Sequence, residues 1–109
     1  MVDEKQLYKI HADFCKFMGN PKRIEILFLL GEAELCVDDI AKKMGIRVPN
    51  VSQLLSLMRE KGVVEIRREG TRIFYRLSNP KVLQACQIMK DVMFEQMEKK
   101  MQVIKSANQ

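Results

Sequence analysis

Residues 37–77 read VDDIAKKMGIRVPNVSQLLSLMREKGVVEIRREGTRIFYRL, and the rest of the chain is interpreted around them. Apolar residues recur at steps of three and four in VDDIAKKM and in VSQLLSLM, which predicts two short helices separated by a turn at Gly45. VVEIRRE and RIFYRL alternate apolar and charged residues, which predicts two strands joined at Glu69-Gly70-Thr71. Helix, turn, helix and basic hairpin in this order are typical of proteins that hold double-stranded DNA.

Helices are also predicted before this stretch. Residues 3–18 carry apolar side chains at spacings of three and four, and Gly19 fits the end of that helix. Asn20-Pro21 then provides an N-cap and a first helical residue for a second helix. Its apolar residues are too dense for a half-exposed helix, so we expect it to be the central core helix, ending at Gly31.

A long fifth helix is predicted after the hairpin. Asn79-Pro80 repeats the cap signal, and the helix is expected to run from Pro80 to about Ile104. It carries a stripe of Val82, Cys86, Met89, Met93, Met97 and Met101. Because one short domain cannot easily cover so long an apolar stripe, we expect a second copy of the chain to cover it. The predicted fold is mainly α with a small β-hairpin, in a single domain over residues 1–109.

Composition predicts a folded, basic protein. The chain has 109 residues, of which 47% are hydrophobic and 30% charged, and its formal net charge is +5. Those fractions are typical of globular domains. The positive charge favours an anionic partner such as nucleic acid or a lipid surface. With no membrane-length apolar run and no signal-peptide pattern, we expect a cytoplasmic location and no membrane partner.

The fourth helix and the hairpin carry the candidate DNA contacts. Asn and Gln can pair with adenine, Arg can pair with guanine, and an Arg fork grips phosphate. From residue 47 to 76 there are seven basic and three acidic residues, a net charge of +4. The candidates are Arg47, Pro49, Asn50, Ser52, Gln53 and Ser56 on the helix, and Arg67, Arg68, Thr71 and Arg72 on the hairpin. The alternatives are a solvated helix face and an edge hairpin whose charges deter aggregation.

Four segments resemble the ArsR (arsenical- and metal-responsive) family of winged-helix repressors. They are NPKRIEIL at 20–27, ELCVDDIAKKMGI at 34–46, VSQLLSLMREKGVV at 51–64 and REGTRIFYRL at 68–77. The resemblance implies a winged helix-turn-helix with five helices and a two-stranded wing. It also implies a homodimer whose dimerisation helices are residues 1–18 and 79–105. Two recognition helices and two wings would bind the operator, and an inducer would release it.

The sequence departs from the family at four informative positions. Arg47 stands where the family often has a Ser or Thr cap, and Leu54 stands where it often has His, so the operator sequence is expected to differ. Asn79 and Lys81 occupy the places of metal ligands at the start of the last helix, and neither is a good ligand.

The family's other metal site is incomplete as well. The family's ELCVC-type motif reads ELCVDD in this chain, so Cys36 is present but the second cysteine of the motif is missing. A zinc variant adds ligands from an N-terminal arm to Cys36 and Asp39, and we expect that arm to be absent. No metal ligand set and no cofactor are therefore predicted.

Three cysteines remain as candidate sensors: Cys15, Cys36 and Cys86. Cys15 and Cys86 lie on the two helices that pack together in the family, so they could form a disulfide, a sulfur bridge or a soft-metal site; the alternative is that both are small buried hydrophobes. A thiol at a helix N-terminus, such as Cys36, can be reactive, although Asp38 and Asp39 oppose this effect.

The predicted function is a dimeric, sequence-specific DNA-binding transcriptional regulator, a repressor released by a thiol-reactive or metal inducer. The alternative is a winged-helix protein-interaction module without DNA binding. An enzyme is not expected, because the chain has one histidine, His11, and lacks a Ser/His/Asp set, paired carboxylates in a plausible pocket and a phosphate-binding glycine loop.

Overall fold

The computed structural model describes residues 2–108, which fall into two compact units, residues 2–79 and residues 80–108. The first unit contains helices α1 (Glu4–Met18), α2 (Pro21–Glu32), α3 (Val37–Met44) and α4 (Val48–Glu60), and strands β1 (Val64–Glu69) and β2 (Arg72–Leu77). The second unit contains helix α5 (Lys81–Ala107). The predicted fold class, mainly α with five helices and a two-stranded hairpin, is confirmed for the described residues.

The junction between α1 and α2 follows the predicted cap signals. Gly19 ends α1, and its N–H donates to the Cys15 carbonyl over 2.9 Å. The Asn20 side chain then accepts hydrogen bonds from the backbone N–H groups of Lys22 and Arg23, which have no partner inside the helix.

The prediction that Gly31 ends α2, with the helix running to about Leu30, is wrong by two residues. The helix continues through Gly31 to Glu32, and the chain turns to extended backbone at Ala33. Glycine favours a helix end mainly because it can adopt a left-handed conformation, and Gly31 does not adopt one.

The core of the first unit is built around α2, as predicted. Helix α2 packs against α3, α4 and β2. The fully buried large side chains are Ile26, Leu27, Ile40, Leu55, Met58, Val51, Val63 and Val64. Each such side chain removes enough apolar surface from water to contribute about 1.5–3 kcal/mol to folding. The packing therefore holds α3, α4 and the hairpin as one body.

The hairpin is tied to the connection between α2 and α3. Strands β1 and β2 are antiparallel and in register from Val64–Leu77 to Glu69–Arg72, so the turn is Gly70-Thr71 and Glu69 belongs to the strand. Gly70 has φ = +60°, which suits the first position of a type II′ turn. Leu35 pairs with Tyr75 outside the two strands, through reciprocal backbone hydrogen bonds of 3.2 and 2.8 Å.

Helix α5 departs from its predicted boundaries. It begins at Lys81 and extends to Ala107, and its N-cap residue is Pro80 with no capping hydrogen bond from a side chain. The N-cap position thus falls at Pro80, one residue after the predicted Asn79. The methionines of the predicted stripe are uncovered: Met89, Met93, Met97 and Met101 are each more than half exposed, while Val82 and Cys86 are half-buried. No helix within residues 2–108 combines the length and apolar character needed to cross a bilayer.

Candidate nucleic-acid interface

The turn between α3 and α4 sets the angle between the two helices. Helix α3 ends at Gly45, which has φ = +68°, a conformation that only glycine adopts without cost. The Ile46 N–H donates to the Ala41 carbonyl over 3.2 Å, and the Gly45 N–H donates to the Lys42 carbonyl over 3.3 Å. These bonds form a Schellman ending, so the chain reverses within three residues and starts α4 at Val48.

Helix α4 buries one face and leaves the opposite face in solvent. Val51, Leu55 and Met58 are buried against the rest of the unit. The six helix candidates, Arg47, Pro49, Asn50, Ser52, Gln53 and Ser56, are all exposed. Pro49, Gln53 and Ser56 fall in one row because helical residues three and four apart share a face. The structure thus leaves a polar row along α4 that is free to meet a ligand.

The beginning of α4 is open as well. Arg47 occupies the N-cap position, and its side chain makes no capping hydrogen bond. Its backbone carbonyl accepts from the N–H groups of Asn50 and Val51, at 3.0 and 3.2 Å. The exposed guanidinium of Arg47 is therefore not used to close the helix end.

Three exposed hairpin residues, Arg68, Thr71 and Arg72, form the wing tip. The Arg72 guanidinium lies 5.3 Å from the centre of the Phe74 ring, within the range of a cation–π contact. Neither Arg68 nor Arg72 forms an ion pair with any residue in the described range 2–108. Both arginines therefore have guanidinium groups available to an anion.

Arg67, the remaining hairpin candidate, is already engaged. Its Nε lies 2.7 Å from Glu34 Oε2 and its Nη1 lies 3.0 Å from Glu69 Oε2. The guanidinium also lies 4.8 Å from the centre of the Phe74 ring. The hydrogen bond to Glu34, followed by that to Glu69, raises the pKa of Arg67 above its ordinary value. The structure thus separates Arg67, which holds carboxylates, from the arginines of the wing tip.

Glu34 holds a second arginine. Its Oε1 lies 3.5 Å from Arg76 Nη1, and Arg76 Nε lies 2.7 Å from Glu65 Oε1. The hydrogen bond from Arg67 is the main cause that lowers the pKa of Glu34 below its ordinary value, with charge attraction to Arg67 and Arg76 adding to it. Glu34 is therefore a carboxylate at neutral pH, shared between two arginines.

Two exposed lysines were not singled out from the sequence. Lys42 and Lys43 occupy the last turn of α3. The first helix of a helix-turn-helix crosses the nucleic-acid backbone, so lysines at its end lie where phosphate passes. The sequence signal was ambiguous, because lysines in a last helical turn also complement the helix dipole.

The candidate sensor cysteines lie in different settings. Cys36 is the N-cap residue of α3, as predicted, and its thiol donates to Asp39 Oδ2 over 3.1 Å. Cys15 is exposed on α1 in the first unit, and Cys86 lies on α5 in the second, where burial raises the pKa of its thiol. A bridge between Cys15 and Cys86 stays a prediction. Among residues 2–108, no group of three or more His, Cys, Asp or Glu side chains is arranged to hold a metal ion.

Comparison with known families identifies the helix-turn-helix segment. The model of the family described as bacterial regulatory protein, arsR family, matches residues 20–65. The uncharacterized HTH-type transcriptional regulator Rv0081 of Mycobacterium tuberculosis is 32% identical over 93 residues, which are 84% of this chain and 82% of that protein. The biofilm growth-associated repressor of Xylella fastidiosa is 38% identical over 73 residues, 67% of this chain and 64% of its own length.

Solved structures match over most of the chain. The crystal structure of Mycobacterium tuberculosis Rv0081 gives a TM-score of 0.79, covering 86% of this chain and 95% of that one. The solution structure of the homodimeric winged helix-turn-helix DNA-binding domain of Mb0332 from Mycobacterium bovis, a possible ArsR-family transcriptional regulator, is 33% identical. It gives a TM-score of 0.78 and covers 91% of this chain and 93% of that one. The winged helix-turn-helix expected from the sequence is confirmed.

Proposed function

Because this chain belongs to the arsR family of bacterial regulatory proteins, we propose that it is a dimeric repressor whose two α4 helices and two wings bind a specific DNA operator. The observation that carries the proposal is the exposed polar row of α4, together with wing-tip arginines that hold no carboxylate among residues 2–108. The two features match the two requirements of specific binding, which are base contacts that read sequence and phosphate contacts that position the protein.

Helix α4 supplies the base-reading part. An α-helix fits the major groove of B-DNA, with its N-terminal residues nearest the base edges. Asn50 and Gln53 lie in the first half of α4 and expose amide groups that pair with adenine. Arg47 at the N-cap is placed for guanine or for phosphate. We therefore assign sequence reading to these three residues, with Ser52 and Ser56 as shorter polar contacts and Pro49 packing beside them.

The wing tip supplies the positioning part. Arg68 and Arg72 would contact phosphates beside the groove that α4 enters, with Thr71 as a further polar contact. Lys42 and Lys43 at the end of α3 are two further exposed positive charges that would contact phosphates. These contacts carry no sequence information but make binding strongly dependent on salt.

A second copy of the chain is the partner that best accounts for the exposed apolar residues. On α1 these include Leu7 and Ile10, each more than half exposed, and on α5 they include the methionine stripe. Dimers of helix-turn-helix proteins place their recognition helices about 34–36 Å apart, one turn of DNA. The Mb0332 domain is homodimeric and is similar to this chain over most of its length, which supports a homodimer here.

The proposal also includes repression of transcription and release of the operator by an inducer. The biofilm growth-associated repressor of Xylella fastidiosa supports repression. Cys36 is the candidate site for a thiol-reactive inducer, since its half-buried thiol lies at the N-terminus of α3. DNA affinity should be measured with the protein reduced, oxidised and metal-loaded, in wild type and in Cys36→Ser. An inducer acting at Cys36 would lower wild-type affinity in one of these states and leave Cys36→Ser unchanged.

A protein-interaction module without DNA binding is the second candidate, favoured by the exposed methionine stripe of α5. The decisive experiment titrates the protein against the DNA upstream of its own gene and against an unrelated duplex of equal length. Gln53→Ala should reduce the preference for the operator by about 1–3 kcal/mol. Gln84→Ala, on the α5 face opposite the stripe, is the matched control and should keep the preference. Equal, weak binding of both duplexes by wild type would favour the interaction module.

A further inference from the structure

We infer that Glu34 is a positioning residue of the wing: it holds Arg67 and Arg76 on its own carboxylate and so confines the wing's phosphate contacts to Arg68 and Arg72. The inference rests on the proposed DNA-binding function and deepens it. It also assigns Arg67, a candidate DNA contact from the sequence, to a different task.

The position of Glu34 allows it to act on the hairpin from outside. Glu34 lies in the connection between α2 and α3, 33 residues before Arg67. Its two carboxylate oxygens face different arginines, Oε2 toward Arg67 at 2.7 Å and Oε1 toward Arg76 at 3.5 Å. The next residue, Leu35, is held against Tyr75 of β2 by two backbone hydrogen bonds. The backbone thus presents Glu34 to the hairpin at a fixed place.

The strand register decides which arginines Glu34 can reach. Residues directly opposite each other in an antiparallel pair project from the same face, and successive residues project from opposite faces. Arg67 pairs with Phe74, and Arg76 pairs with Glu65, so these side chains share one face of the hairpin. Arg68, next to Arg67, projects from the other face and out of reach of Glu34.

The engagement of Arg67 also leaves Arg72 available. Glu69 is directly opposite Arg72 in the register and would be its nearest carboxylate partner. The Glu69 carboxylate instead contacts Arg67 Nη1 at 3.0 Å, while Arg72 lies over the Phe74 ring. Arg67 therefore holds the Glu69 carboxylate that would otherwise pair with Arg72. The guanidiniums of Arg67 and Arg72 both contact the Phe74 ring.

The consequence for DNA binding is electrostatic. A guanidinium that already holds a carboxylate has fewer N–H donors and less net positive charge left for a phosphate, and that carboxylate also repels the phosphate. Arg67 and Arg76 should then add little to counterion release, the source of sequence-independent affinity. Replacing Glu34 by Gln keeps its shape and removes its charge, which leaves Arg67 paired with Glu69 alone and Arg76 paired with Glu65 alone. More of the positive charge of both arginines should then act on phosphates, so the wing should bind any duplex more tightly.

The test uses the full chain, an unrelated duplex and a series of salt concentrations. Glu34→Gln should raise affinity for the duplex and steepen the salt dependence by about 0.9 in log–log slope for each arginine that gains a phosphate. Glu32→Gln is the matched control, since Glu32 is exposed, forms no ion pair within residues 2–108 and loses the same charge. The double variant Glu34→Gln/Arg67→Gln should lose the part of the gain that Arg67 supplies.

A gain in Glu32→Gln equal to that in Glu34→Gln would overturn the inference, since net charge alone would then explain it. So would a double variant that keeps the full gain. If wild type binds no DNA, the proposed function fails, and the inference is tested separately by NMR exchange of the Arg67 Nε–H. That proton should exchange several-fold faster in Glu34→Gln than in wild type or Glu32→Gln, and unchanged exchange would refute the role of Glu34.

Discussion

Replacement of Arg72 by Gln should flatten the salt dependence of DNA binding by a calculable amount. Arg72 is exposed at the start of β2 and forms no ion pair among the described residues, so its charge is available to a phosphate. Each phosphate neutralised on B-DNA contributes about 0.9 to the slope of log affinity against log salt. A dimer has two wings, so the variant should lower the slope by about 1.8. Over a fourfold rise in salt, from about 50 to about 200 mM, it should lose about twelvefold less affinity than wild type.

Arg76→Gln is the matched control for this prediction. Arg76 lies on the same strand, and its loss changes the net charge by the same amount. Its guanidinium is held by Glu65 at 2.7 Å and by Glu34 at 3.5 Å, so it should not reach a phosphate without leaving them. We expect Arg76→Gln to keep a slope close to that of wild type.

Fluorescence anisotropy with a labelled duplex at several salt concentrations measures both slopes, and circular dichroism shows whether each variant is folded. The operator and an unrelated duplex should report the same change in slope, because a phosphate contact is independent of sequence. Equal flattening by Arg76→Gln and Arg72→Gln would refute the reasoning, because it would mean that ion pairs within the hairpin do not restrict which arginines bind phosphate.

Two further predictions concern the scaffold. Gly45→Ala should lower the free energy of unfolding by about 1–2 kcal/mol in chemical denaturation. The cost comes from the backbone, because φ at Gly45 is +68° and an added Cβ would meet no neighbouring atom. Gly45→Asn should lower the free energy of unfolding less, since Asn tolerates that conformation better. Hydrogen bonding from Arg67 lowers the pKa of Glu34 below 4.5, so wild type should be more stable than Glu34→Gln above that pH and lose this advantage as the pH falls through the lowered pKa. Thermal unfolding of both proteins from about pH 7 to about pH 3 checks the sign, and an advantage that grows on acidification would contradict it.

Much of the fold could be read from local patterns. The bounds of α3, the cap at Asn20 and the two strands follow from periodicity and from residue types that act on their own backbone. The exposure of Asn50 and Gln53 follows in the same way. Because Val51 and Leu55 face the core, helix geometry places Asn50 and Gln53 on the solvent side of α4. Errors occurred at helix ends, as at Gly31, where a residue type permits more than one backbone conformation.

The pattern along the chain predicted which side chains could meet DNA, because helix and strand geometry depends on neighbours a few residues apart. It did not predict that Arg67 is engaged while Arg72 is available, although both are arginines of one hairpin. That difference depends on Glu34, which is distant in sequence and is brought close to Arg67 where Leu35 pairs with Tyr75. Ion pairing depends on separation in space, which is established only when α2, α3 and the hairpin pack around one core.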